Sequence, residues 1–170
     1  MSTLAINDHM PSRSTALSLS GLVAEMRAAE PRFMALAIIL VVAMLPTGLA
    51  ALLDTRSLDG IELWGKALKF EVALAVYLFT LAFFARYVPV SVANARWYRV
   101  YSGSVVVAIV MEMAWIAGAA GLGTTSHFNT TVIGLYPLMG LAAVLLTSAT
   151  AVQAVLIARN PTTGLKPALK

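Results

Sequence analysis

The chain of 170 residues contains no cysteine, only two histidines, and little charge, with Asp, Glu, Lys and Arg making up 12%. The missing thiols exclude disulfides, thiolate metal sites and cysteine nucleophiles. The charge deficit excludes an ordinary soluble domain, which is about a quarter charged and about half apolar. Here 59% of residues are apolar and the mean hydropathy is +0.83. The net charge of +4 raises nucleic acid as a partner, but no basic cluster interleaved with aromatic residues accompanies it. Nucleic acid is therefore not an expected partner.

Long apolar runs are what the chain does have. A helix needs roughly 20 predominantly apolar residues to cross a hydrocarbon core about 30 Å thick. Four segments qualify: residues 33–53, 66–87, 100–121 and 132–158. "FMALAIILVVAMLPTGLAALL" has no polar face repeating near 3.6 residues, which argues against a soluble bundle. No segment alternates at period two as the strand of a membrane barrel would. Backbone groups in lipid must bond within their own segment, so the spans are helices. The expected fold is all-α, an integral membrane four-helix bundle whose first partner is the lipid bilayer.

Basic residues set the orientation. Arg13, Arg27 and Arg32 precede the first span; Arg86, Arg96 and Arg99 lie between spans two and three; Arg159, Lys166 and Lys170 follow the fourth. Only Arg56, Lys66 and Lys69 belong to the other side. That asymmetry puts both termini in the cytoplasm and argues against a dual-topology dimer. Residues 1–32 form a cytoplasmic N-terminal segment and 159–170 a cytoplasmic tail. The first thirty residues lack the apolar core and cleavage site of a secretory signal. Instead Leu19, Leu22, Val23 and Met26 share a helical stripe, the pattern of a short interfacial amphipathic helix ended by Pro31. A frayed tail is the competing reading. Trp64, Trp97, Tyr98 and Tyr101 fall near span ends, where amphipathic rings anchor a helix.

An ionisable group inside a span costs about 2.5 to 3.5 kcal/mol on insertion scales, so such residues are functional candidates. The topology gathers Lys66, Lys69, Glu71 and Glu112, with His127 just past the third span, in one half of the bundle. Glu62, Lys66 and Lys69 have the spacing of a single helix face. Glu71, two residues beyond Lys69, points away from it, so the two cannot both face the interior. Glu112 shares a stripe with Ala108, Trp115 and Ala119, an interior pattern. It reads either as a carboxylate bonded to Lys69 or a hydroxyl that fixes the bundle register, or as a group that handles a proton or ligand.

"GLGTTSHFNTT", Gly121 to Thr131, carries His127. Ser126 or Asn129 is expected to cap the fourth span, and Asn129 opens a glycosylation sequon relevant only to a eukaryotic secretory pathway. No cofactor is expected; haem or a metal through His127 is the minor alternative. Haem would need a second axial ligand, and His9 lies on the far side. Zinc would need Glu112 and Glu71 beside His127. Pro46 and Pro137 are expected to kink the first and fourth spans. Thr147, Ser148, Thr150 and Gln153 read as interhelical glue or as a polar path.

"WGKALKF", Trp64 to Phe70, and Glu112 followed by "GTTSHFN", Gly123 to Asn129, together resemble an uncharacterised bacterial family of four-span integral membrane proteins. The likeness covers about Trp64 to Asn129, with "SHFN" its distinctive part. The family pattern has proline after the first lysine, and glutamine and arginine before the glycine, where this chain has Ala67, Ala119 and Leu122. The resemblance implies a bacterial inner (cytoplasmic) membrane and a single site formed by Lys66, Lys69, Glu112 and His127.

Two functions from different classes follow. One is a polar site, with Glu71 and Asn129 as further contributors, that binds or passes a small ligand, proton or ion, Glu112 being the titrating group. Four spans are few for transport, so this reading calls for a homo-oligomer. The other is a non-catalytic accessory or assembly subunit whose polar residues hold a partner membrane subunit. An enzyme is the less expected class.

Overall fold

A computed structural model describes residues 18–126 and 134–160. The short helix expected before the first span is present as α1, Leu19–Ala29, opened by Ser18, whose Oγ accepts the Gly21 N–H at 3.1 Å. It is docked: Met26 is buried in the main core, Leu22 packs beside it, and α1 lies against the first two spans. Glu30 breaks the helix with extended backbone, and Pro31, whose ring presets the helical φ, opens the next one.

The spans are α2, Pro31–Leu53; α3, Gly65–Ala85; α5, Arg96–Leu122; and α6, Leu135–Ala158. Each is long and apolar enough to cross a membrane. A single turn, α4 (Val90–Ala93), joins α3 to α5. The protein is a multi-pass four-helix membrane bundle. Helices α3 and α5 form its interior pair, with 39% and 44% of their apolar windows buried, against 22% for α2 and α6.

The interior stripes follow the helical period. On α3 it is Ala67, Glu71, Leu74, Ala75, Leu78, Leu81, Ala82 and Ala85; on α5 it includes Ser102, Val105, Ala108, Ile109, Glu112, Ile116 and Ala119. Lipid tails are as apolar as leucine, so close van der Waals packing rather than escape from water must hold such helices together, and alanine permits the approach. Hydrogen bonds to backbone carbonyls add to it. Gln153 Nε2 donates to the Leu81 carbonyl at 2.9 Å, and the Tyr77 hydroxyl donates to that of Leu146. Thr147 and Ser148 donate within their own helix. Gln153 is thus glue between α6 and α3.

Several expectations need correction. The helix that carries the third span starts at Arg96, ahead of the apolar run expected from 100, because helix continues through the polar "RWYR" turn, and the helix of the second closes at Ala85, two residues short of 87. Helix α6 begins at Leu135 behind Gly134, which has φ +86° and no side-chain cap, so Ser126 does not cap it. Asn129, the other expected cap, lies outside the described residues. Pro137 sits in the first turn of α6, where N–H groups have no helical acceptor, so it opens the helix without kinking it. Pro46 is the proline inside a span, leaving the Val42 carbonyl without its ladder bond.

The loop between α2 and α3 is not featureless. Strands β1 (Ser57–Leu58) and β2 (Ile61–Glu62) pair antiparallel across Asp59 and Gly60, at φ +54° and +78°. Positive φ at both central positions is the type I′ geometry, and Asp-Gly between apolar residues is its strongest local signal. Glu62 therefore lies on a strand and does not share a helix face with Lys66 and Lys69.

Candidate functional site

The hairpin is tied to the bundle through Asp54, the residue just past α2. Arg56 donates to it twice, from Nε at 2.8 Å and Nη2 at 2.6 Å, and Trp64 Nε1 donates at 2.8 Å. These bonds hold the Asp54 carboxyl well below the usual carboxylate range, the Arg56 bond contributing most. Arg56 Nη2 also reaches the Gly121 carbonyl at 3.2 Å, one of the orphan acceptors at the end of α5. That helix closes in a Schellman turn: Gly123, at φ +68°, donates to Ala120, and Thr124 donates to Ala119. Trp115 Nε1 donates to the Ser126 carbonyl at 2.6 Å, folding the segment after the turn back onto α5.

Between hairpin and turn lies a vestibule of about 240 Å³. Ile116, Ala119 and Ala120 supply apolar walls; Asp59, Glu62, Lys66 and residues Thr124 to Ser126 supply polar ones. Lys66 stands in the first turn of α3, half-buried, with Nζ 5.9 Å from the Phe70 ring centre. It interacts electrostatically with Glu112, which is 5% exposed on the interior stripe of α5. By helix rise, Glu112 lies roughly 15 Å below the α5 terminus and Glu71 roughly 9 Å below the start of α3. Both are in the hairpin half of the bundle.

The ambiguity between Lys69 and Glu71 is resolved by the interior stripe. Glu71 faces inward at 3% exposure, and Lys69 is exposed. Lys66, not Lys69, is the lysine associated with Glu112. Lys66 and Glu112 thus lie within electrostatic reach of each other, and Glu71 is on the same interior stripe of α3 as Ala67. His127 and Asn129 lie outside the described residues. Among the described residues no three His, Asp or Glu side chains gather as metal ligands would.

One participant escaped the sequence. Thr47 Oγ1 donates to Glu71 Oε1 at 2.7 Å, deep between α2 and α3. The other oxygen, Oε2, is buried without a hydrogen-bond partner among the described residues, as is the Tyr101 hydroxyl. A polar residue directly after the proline of an otherwise apolar run was the available signal, since "LPTGL" is the one interruption in α2. No family model matches the chain, and neither does any curated protein or solved structure.

Proposed function

We propose that the hairpin-end vestibule admits a small ligand, in the simplest case a proton or small cation, to Glu112, the titrating group, and that Glu71 is a second, shallower acceptor. The observation that carries this reading is the Glu71 carboxyl: buried in an apolar bundle, one oxygen held by Thr47 and the other without a partner among the described residues. Buried polar atoms in folded proteins are nearly always satisfied, and the exceptions tend to be working groups. Lys66 supports the reading by linking the vestibule wall to Glu112. The entry charge is negative, since Asp59 and Glu62 outnumber Lys66 on that wall. We place the vestibule on the outer face of the membrane, following the distribution of basic residues, and take that membrane as a bacterial inner one from the family resemblance alone. His127, next to Ser126 in the sequence, would join the site.

The test is acid-driven flux in proteoliposomes with a pH-sensitive dye inside. The expected result is flux above empty vesicles that Glu112→Gln abolishes while protein yield holds. Wild-type protein that carries no flux, or a variant that carries it unchanged, rejects the reading. If Glu112→Gln instead releases a co-purifying membrane subunit, the accessory function takes its place.

A further inference from the structure

The opposite end of the bundle holds a second cleft, of about 380 Å³, that the proposed function does not use. It opens where α1 gives way to α2, and its polar lining includes Arg32, Arg86, Arg99, Asn94, Ser102 and Glu30. Three guanidinium groups thus share one cavity with a single carboxylate.

Two of the three are held in place. Arg32 Nη1 donates to the Arg99 carbonyl at 2.6 Å and to Ser102 Oγ at 3.2 Å. Arg86 lies over the Phe83 ring, 4.3 Å from its centre, while Nε donates to the Phe83 carbonyl at 3.0 Å and Nη1 to Glu25 at 2.7 Å. The Arg99 guanidinium is exposed and makes no hydrogen bond or ion pair among the described residues. The start of α2 also lines the cleft, and no side chain caps it, so its first N–H groups add partial positive charge. Glu30 is the one carboxylate of the lining against three guanidinium groups, and burial pushes its carboxyl up from the ordinary range.

Planar guanidinium forks fixed before the ligand arrives suit tetrahedral oxyanions, which they bind through paired charge-assisted bonds. We propose that this cleft binds an anionic phosphoester through Arg32, Arg86 and Arg99. The source is either the headgroup of an anionic phospholipid or a soluble phosphate compound, and the chemistry is common to both.

The experiment uses the full chain in nonionic detergent. Native mass spectrometry compares retention of phosphatidylglycerol and phosphatidylcholine, and thermal unfolding is followed with and without inorganic phosphate. Losing one charge-assisted contact costs about tenfold in affinity, so Arg99→Gln should lower the response by about that factor. Arg159→Gln, a surface arginine at the end of α6 outside the cleft lining, should leave it unchanged. Preference for phosphatidylglycerol that Arg99→Gln removes assigns the lipid source. Stabilisation by inorganic phosphate, lost in the same variant and without lipid preference, assigns the soluble one. Neither response in the wild type, or equal loss in Arg99→Gln and Arg159→Gln, overturns the proposal. Arg86 is left intact because its pair with Glu25 also fastens α1.

Discussion

Helix α2 starts at one carboxylate and stops at another, and the two answer acid in opposite directions. Asp54 meets a guanidinium fork and an indole N–H, which favour its charged form. Glu30 is 5% exposed, and the cost of burying its charge outweighs the pull of Arg32 and Ser102. Both carboxyls have an arginine within reach, so the difference lies in burial, which dominates at Glu30 and not at Asp54. The same contrast separates the two cavities. The hairpin end combines acidic groups with one lysine, whereas the other end combines arginines with one glutamate.

The sharpest way to break this comparison is to cross the two ends. Glu112→Gln should abolish flux and leave phosphoester binding intact; Arg99→Gln should do the reverse. If either variant impairs both functions, the two ends are coupled and should be treated as one site. A smaller effect separates Glu71 from its partner. Thr47→Val leaves a buried carboxyl wholly unsatisfied and should cost about 1 to 3 kcal/mol in detergent unfolding, whereas Glu71→Leu, which removes the polar group itself, should be near neutral. Equal losses in both would show that Glu71 is merely structural.

The hairpin turn gives a third measure. Gly60→Val forces a β-branched residue to φ +78° and should cost about 1 to 2 kcal/mol, with no effect at the arginine end. The smallest effect is the pH response of the two carboxylates. The folded pKa of Asp54 lies below its unfolded value, so its stabilisation is complete above the ordinary carboxylate range and is lost only as pH falls through the depressed value. The folded pKa of Glu30 lies above its unfolded value, so the native state gains stability as pH falls through the raised value. Unfolding from neutral pH to about pH 4 should therefore show Glu30→Gln more stable than wild type at neutral pH and the gap closing on acidification. A constant gap would contradict the burial argument.

The spans were legible because each is a signal averaged over some twenty residues, and no single position decides it. The inward turn of Glu112 was legible from its alanine-lined stripe. The choice between Lys69 and Glu71 was posed by their spacing but not decided, since two residues two apart on a helix differ only in which neighbours they meet. Thr47 as the partner of Glu71 was not legible at all, because it depends on how α2 rotates against α3. The arginine cleft was half legible. Charge counting placed Arg32, Arg86 and Arg99 at one end, but nothing local in a sequence brings residues this far apart into one cavity. The hairpin was legible in "LDGI" and was hidden by reading its flank as continuous helix.

The Asp54, Arg56 and Trp64 contacts have a practical consequence for kinetics. Because this latch keeps its charge throughout the range in which ordinary carboxylates titrate, the vestibule wall is a fixed frame during any acid pulse. A pH profile measured at the hairpin end then reports groups other than this latch, those of the vestibule wall and of the interior.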